Sequence, residues 1–389
     1  MAHKGYKFRI YPTEDQKDLL LNTFGACRFV YNWSLAQKTK AYLKDKTNIS
    51  YNKSSKNLTQ LKTEKDFLWL NEVSSTCLQQ SLKNLDTAFS RFFKGQSKYP
   101  KFHSRKENRG SAKFTTNSFS LKDGVFKIAK CKKPVDVKWS RELPSDPLSC
   151  TVSVTPSGKF YVSFLCEVEK QKLPKVESEV GIDFGISAFV TDSHGAKYKL
   201  PNSLKKQRAK LKRAQRKHSR KKKGSRNKEK ARLKVARLHE KIYNIKTDFL
   251  HKLSTKLVSE NQAISMEDLN VVGMVKNRKL SRAIHEQGWR QFRNMIEYKS
   301  DFSGRQFLLC DRFFPSSKTC SACGKIKDSM SLNIREWTCS CGVTHDRDIN
   351  AAINILAAGH VVSACGADGR PVKNYVLKGS QRRSRKPKK

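Results

Sequence analysis

Three acidic residues and four cysteines are the side chains of this sequence whose types and spacing could do chemistry. The acids are Asp183 in "VGIDFGI", Glu267 in "AISMEDL" and Asp348 in "HDRDINAAINI". Side chains of an extended segment alternate between faces, so Gly181, Asp183 and Gly185 share a face opposite Val180, Ile182 and Phe184. Ala263, Ser265 and Glu267 share a face in the same way, opposite Ile264 and Met266, which point to a core. Two carboxylates thus stand on faces cleared of bulky neighbours, and glycine in a strand often marks close approach by a ligand or a backbone. Asp348 starts a helical pattern whose Ala351 and Ala352 allow close packing on a sheet. Three convergent carboxylates suit a hard divalent cation such as Mg²⁺, which takes oxygen ligands and keeps several waters. Two such ions about 3.5–4 Å apart can clamp the attacking and leaving oxygens of a phosphodiester. Any one of these acids alone reads as a solvated charge or a loop anchor. Their order within one α/β segment of a very basic chain is what joins them. Asp346 competes with Asp348 for the third place and also has the position of a helix cap.

The cysteines form two pairs, Cys320-Ser-Ala-Cys323 and Cys339-Ser-Cys341, with 15 residues between them. Two such knuckles provide the four thiolates of a tetrahedral zinc site, and structural zinc stabilises a segment too small for its own core. The second pair is C-x-C rather than C-x-x-C, which tightens the geometry and leaves His345 as a substitute for Cys339 or Cys341. The other seven cysteines have no partner spacing and read as core residues.

Partners follow from charge. Lys and Arg number 80 against 34 Asp and Glu, a formal charge of +46, which draws in polyanions. Residues 205–237 hold 18 Lys or Arg and one acid, Glu229. Such density binds phosphate backbone by counterion release, and Lys212, Arg213, Arg216 and Arg220 are the candidate contacts there. With 37% hydrophobic and 10% aromatic residues the chain can build real cores. Its longest apolar runs fall well short of the ~20 residues of a membrane span. The opening "MAHKGYKFRIYP" lacks the apolar centre of a signal peptide. The 11 cysteines, an odd number, fit reduced thiols in a cytosolic setting better than a disulfide framework.

The elements that must position these residues can be read coarsely. Tyr6, Phe8 and Ile10 alternate in a strand closed by Pro12, and Thr13 to Gln16 has capping-box spacing. Leu20, Phe24, Cys27, Tyr31 and Leu35 then give a helical stripe, as do Leu78, Leu82, Leu85, Phe89 and Phe92. A helical unit of three or four helices is expected over 13–97. Residues 98–172 are β-rich, with a Pro156-Ser-Gly158 turn, and with residues 1–12 they predict a β-barrel or curled sheet into which the helices are inserted. From 178 to 316, and again from 345 to 370, strands and helices alternate as in an α/β domain. The basic run is expected to continue as one long helix through Leu238, Ile242, Ile245, Phe249, Leu253 and Leu257. Residues 317–344 form the zinc ribbon inserted in this domain, and 371–389 a basic, disordered tail.

"GIDFGI", "SMEDLN" and "HDRDINAAINI" resemble, in order, the three active-site segments of the RuvC-like nucleases, which have an RNase H-like fold. Together with "YKFRIYPTEDQ", "FGACRFVYNWSL", "YPKFHSRK" and "FFPSSKTCSACG", they resemble the TnpB family of transposon-encoded RNA-guided nucleases, relatives of type V CRISPR effectors. The resemblance implies a multidomain α+β chain: a wedge-like β-barrel with an inserted helical recognition bundle, then a RuvC-like nuclease domain carrying the zinc ribbon. It implies a guide RNA from the transposon end and a double-stranded DNA target flagged by a short motif beside it. It makes Asp183, Glu267 and Asp348 the catalytic residues, holding two Mg²⁺ or Mn²⁺ with Asp183 bridging, beside one structural Zn²⁺. Asp348 is preferred to Asp346 because it holds the Asp-x-Asn position. Tyr51, Gln80 and Thr116 fall in segments where the family contacts the motif. Trp289 and Phe292 either stack on bases or pack in a core. A monomer is the favoured state.

Three rivals remain. A TnpB-like repressor that has lost its chemistry should lack one of the acids, and all three are here. A single-strand transposase needs a tyrosine nucleophile beside His-x-His, which does not occur. A basic zinc-ribbon RNA-binding protein explains the charge and the cysteines but not the three acids.

Overall fold

The structure is a computed structural model and describes residues 1–104, 110–331 and 333–364. The tail expected over 371–389, and the last residues of the segment expected to end at 370, lie outside that range. Contacts divide the chain into two units: Met1–Glu169 with Leu211–Glu240, and Lys170–Lys210 with Lys241 onward. No helix among the described residues is long and apolar enough to cross a membrane.

In the first unit, β1 (Ala2–Tyr11) leads into α1 (Glu14–Asp45). Both bonds of the Thr13–Gln16 capping box form, and the Gln16 amide also donates to the carbonyls of Lys133 and Pro134, at 3.2 and 3.0 Å. α1 runs further than its apolar stripe suggests, ending where Lys46 turns left-handed at φ 54°. α2 (Tyr51–Leu61) and α3 (Ser75–Phe93) complete the helical part. The strands are β2 (Gly110–Thr115), β3 (Phe119–Lys122), β4 (Val125–Ile128), β5 (Asp136–Lys138), β6 (Pro147–Val154) and β7 (Phe160–Val168). The expected barrel is not closed. Five antiparallel strands form an open sheet ordered β2-β6-β7-β1-β5, and β3-β4 is a separate hairpin tied towards β5 by the single bridge Phe126–Val135. After β2 the chain makes a 3-10 turn at Thr116–Ser118, so the edge ladder is not carried into β3. α1 packs closely at that edge: a Cβ on Gly110 would fall 2.5 Å from the Phe24 ring.

In the second unit, β8 (Glu179–Phe184), β9 (Val190–Asp192), β10 (Lys197–Tyr198), β11 (Ala263–Glu267) and β12 (Gln306–Cys310) make one sheet ordered β10-β9-β8-β11-β12. β8, β11 and β12 are parallel, and β9 and β10 are antiparallel additions at one edge. α4 (Asn202–Ser219) and α5 (Arg226–Glu260) follow β10. The expected single basic helix is therefore two. Gly224, at φ 83°, breaks it, and the Ser225 hydroxyl accepts from Lys228 N–H to start α5 afresh. Like charges at helical spacing also oppose an unbroken helix through "RKKK". The basic segment Leu211–Glu240 belongs to the first unit. There Glu240 accepts from Ser157 and Tyr161 and pairs with Lys159 at 2.9 Å, fixing the helix to the β6–β7 turn.

α6 (Val271–Met274), α7 (Ser281–Gln287) and α8 (Trp289–Ser303) lie between β11 and β12. β13 (Glu336–Thr338), β14 (Thr344–Asp346) and α9 (Arg347–Ala364) complete the described chain. The second unit's core gathers Val180, Ile182, Ile264 and Met266 of the sheet with Leu250, Leu253 and Leu257 of α5 and Phe292 and Ile296 of α8. The other side of the strands meets α9 directly. A Cβ on Gly181 would lie 2.0 Å from the carbonyl of Ala352, and one on Gly359 would lie 2.0 Å from the Ser265 hydroxyl.

Candidate active site

The small residues beside the two strand acids do not clear space for a ligand. They clear it for α9, whose backbone rests on Gly181 and whose Gly359 rests on Ser265. The acids themselves lie at the strand ends, where parallel α/β sheets present their ligand sites. β8 and β11 pair in parallel register through Ile182 and Met266, so Asp183 and Glu267 follow side by side. Asp348 is the second residue of α9.

The charges of the other two acids reach Asp183. Burial pushes the Asp183 carboxyl well above the usual range, and the charges of Glu267 and Asp348 push it the same way; Arg347 and the Phe184 N–H offset part of this. Asp183 as a whole residue is half-buried. Burial also raises Glu267, against the hydroxyl of Ser316, which donates to it. Asp348 is 8% exposed and lies 3.5 and 3.6 Å from the guanidinium groups of Arg347 and Arg335. Asp346 is otherwise engaged. One oxygen accepts from the N–H groups of Asp348 and Ile349, and the other pairs with Lys197 at 2.6 Å. Burial works against its charge, but these partners hold it below the ordinary range.

A cavity of about 270 Å³ lies beside Glu267, lined among others by Asn270, Trp289, Arg290, Arg293 and Arg312. Asp268, the residue after Glu267, anchors two of these arginines: it pairs with Arg293, and with Arg312 at 2.6 Å. Burial opposes the Asp268 charge, but the two guanidinium groups bring its carboxyl below the usual range. Sequence reading missed this pairing; the acidic neighbour in "MEDL" was its one visible sign. Trp289 and Phe292 are core residues, 3% and 0% exposed, and not open stacking platforms. The buried indole N–H of Trp289 has no hydrogen-bond acceptor among the described residues.

Cys320, Cys323, Cys339 and Cys341 bring their sulfur atoms within 4.8 Å of one another. Two of the separations are 3.8 Å (Cys320–Cys341) and 3.7 Å (Cys323–Cys339). A tetrahedral site with Zn–S bonds near 2.3 Å has S···S edges of ~3.8 Å, so the cage fits a zinc-sized ion. Glycines turn both knuckles, Gly324 at φ 75° and Gly342 at φ 90°, which lets the C-x-C pair complete the cage. His345 is not one of the four. Its Nε2 lies 3.1 Å from the Cys320 sulfur, the place of an outer-shell partner. Among the remaining cysteines, Cys27, Cys77, Cys150, Cys166 and Cys310 are buried.

The nucleic-acid candidates lie in the first unit, apart from the acids in the chain's division. Lys212, Arg213, Arg216 and Arg220 are exposed along and just beyond α4. Thr116 is exposed on the turn after β2, while Tyr51 and Gln80 are half-buried on α2 and α3. The Lys83 ammonium lies over the Tyr51 ring, 5.7 Å from its centre.

Among solved structures, the Cas12f1 chain of a complex with sgRNA and target DNA covers 91% of this chain and 98% of its own, with TM-score 0.50 and 14% identity. The likeness is one of fold. Family profiles described as "Probable transposase" (of the OrfB/IS605 type), "Cas12f1-like, TNB domain" and "Helix-turn-helix domain" match residues 163–278, 289–355 and 1–47. The last stretch holds here a strand and one long helix. A Streptomyces pristinaespiralis protein named "Putative RNA-guided DNA endonuclease" is 46% identical over 370 residues, 95% of this chain and 92% of that one. An Escherichia coli K12 protein of the same designation is 34% identical over 397 residues, 95% and 96% of the two chains. The chain belongs to the TnpB family of IS605-type transposons.

Proposed function

We propose that this protein is an RNA-guided DNA endonuclease that hydrolyses phosphodiesters by divalent-metal catalysis. It binds a guide RNA from its transposon, reads a short motif beside the target, and leaves sequence recognition to base pairing. Relatives so named match nearly the whole chain. The observation that supports the chemistry is the placement of Asp183 and Glu267 side by side at the ends of paired strands, with Asp348 opening the helix packed on them.

The donor set fits a hard cation. Asp183, Glu267 and Asp348 offer oxygen donors at one end of the sheet, and the charges of Glu267 and Asp348 oppose ionisation of Asp183. Mg²⁺ or Mn²⁺ at Asp183, Glu267 and Asp348 would supply an activated water and neutralise charge at the leaving oxygen. The protein's own part is placement. Asp183 and Glu267 are fixed on paired strands, and Asp348 on a helix pressed against them. Asp268 holds Arg293 and Arg312 at the neighbouring cavity, where guanidinium donors suit the phosphates of the strand to be cut. The four cysteines would hold one structural zinc.

The first unit supplies the nucleic-acid surface in this reading. Lys212, Arg213, Arg216 and Arg220 meet phosphates, and Tyr51, Gln80 and Thr116 lie where the motif duplex would be read. The protein then works in the bacterial cytoplasm, on the nucleoid. The test is a guided plasmid-cleavage assay with the protein purified on its co-expressed guide RNA. Asp183→Ala should retain the RNA and lose cutting, as should the parent in EDTA. Cutting by Asp183→Ala at the parent rate would overturn the assignment.

A further inference from the structure

We propose that Ser316 is a positioning residue for Glu267, and that Asn354 holds it in place from the helix that supplies Asp348. The inference rests on reading Glu267 as a catalytic carboxylate. It adds a connection between the two strand-end and helix-end acids and the four-cysteine segment.

The Ser316 hydroxyl donates to Oε1 of Glu267, and the serine is 5% exposed. The terminal torsion of a glutamate is broad, so packing alone leaves the plane of its carboxylate loosely set. One fixed donor selects the orientation of the carboxylate plane. The donor is fixed in turn. The Asn354 side-chain amide donates to the carbonyls of Ser316 and Thr319, at 2.8 and 2.6 Å. One helical turn earlier, the Asn350 amide also donates to the Thr319 carbonyl, at 2.7 Å, and its oxygen accepts from Ser321 N–H at 2.9 Å. Spacing of four puts both asparagines on one face of α9, and both are buried, at 1% and 6% exposure.

A buried carboxamide is costly unless its hydrogen bonds are made. These two make theirs to the backbone of a segment with no regular partner strand. That segment ends at Cys320, so the approach to the cysteine cage and the support of Glu267 are the same few residues. α9 thus carries Asp348 at its start and sets the orientation of Glu267 one to two turns further on. Movement of the cage on its stem would reach Glu267 through Ser316.

Ser316→Ala is a clean probe because Asn354 grips the backbone of residue 316, which the substitution leaves in place. Loss of such an outer-shell partner lowers metal affinity or activity about 10- to 100-fold. Guided cleavage by Ser316→Ala should fall by that factor, with a higher half-saturating Mg²⁺ concentration, unchanged guide-RNA retention and an unchanged melting temperature. Ser316→Thr, which keeps the hydroxyl, should recover most of the rate. Mn²⁺ titrated into the guide-loaded protein without target, and followed by electron paramagnetic resonance, should bind more weakly to Ser316→Ala. Asn354→Ala should repeat these losses and add little to them in the Ser316→Ala background. Parent-like Mn²⁺ binding and cutting by Ser316→Ala overturn the proposal, as does failure of threonine to rescue. Glu267→Gln is the control: if it cuts normally, the catalytic reading falls as well, whereas an inactive Glu267→Gln beside an unaffected Ser316→Ala overturns the positioning role alone.

Discussion

Asp183 is a liability to the folded chain when it is ionised, and that has a measurable sign. Burial first, then Glu267 and Asp348, raise its carboxyl well above the unfolded value, which is about 3.9. Between the two values the folded state holds a proton that the unfolded state has lost. Stability therefore falls as pH rises through that window. Asp183→Asn removes the effect. In EDTA, its melting temperature should exceed the parent's at pH 7 to 8, and the difference should shrink towards pH 4, near the ordinary carboxyl value of about 3.9. Adding Mg²⁺ should raise the parent's melting temperature more than the variant's, because a ligand that binds only the folded state stabilises it. A melting difference that is the same at every pH would sink this account. The acids were legible in the sequence because each carries its own flanking pattern. Ser316, Asn354 and the Asp268–Arg293 pair were not. The bonds from Ser316 to Glu267 and from Asn354 to Ser316 join residues 49 and 38 positions apart, and only the fold brings such residues together.

Among the elements, α9 and the strands beneath it set the site, and two glycines mark how closely they meet. A Cβ at Gly181 would strike backbone, the Ala352 carbonyl at 2.0 Å and the Leu356 nitrogen at 2.7 Å, so the whole helix must shift. Gly181→Ala should destabilise by about 1–3 kcal/mol or more, as overpacking does, and should lower cleavage further by moving Asp348. A Cβ at Gly359 meets first the Ser265 hydroxyl, a group with no hydrogen-bond partner among the described residues. Gly359→Ala should therefore cost less, and Ser265→Ala in the same chain should restore part of the loss. Urea denaturation of the three variants checks the order; equal losses at both glycines would contradict it. These contacts also decide what the sequence left open. Small residues alternating along a strand signal close approach, but the pattern cannot say whether a ligand or a helix approaches. The barrel expectation failed for a related reason. Alternation predicts strands such as β6 and β7, with their Gly158 turn at φ 81°, whereas closure depends on whether the edges β2 and β5 find partners, which no local pattern states. The helix break at Gly224 was visible as a glycine but was outweighed by the run of helix-forming lysines around it.

For the molecule as a whole, charge decides what it binds and how salt governs that binding. A net +46 over 389 residues exceeds what one cleft for a DNA strand would need, and much of it lies in 205–237. Part of that run forms the ends of α4 and α5 that belong to the first unit, where Glu240 ties α5 to the β6–β7 turn. A fixed basic surface of this kind should meet phosphates without reading bases. Each phosphate contact contributes about 0.7 to the slope of log K against log salt for single strands and about 0.9 for duplex. Replacing Lys212, Arg213, Arg216 and Arg220 together by Gln should therefore reduce the slope for guide-RNA binding by roughly 3 if all four contact phosphate. The loss should be alike for RNAs of unrelated spacer sequence, because no base edge is involved. Asp183→Ala, whose change lies in the other unit, should leave the slope where it is. Filter binding of the RNA across a series of salt concentrations measures both. An unchanged slope in the quadruple variant would remove these four residues from the interface and assign the RNA to another of the chain's basic surfaces.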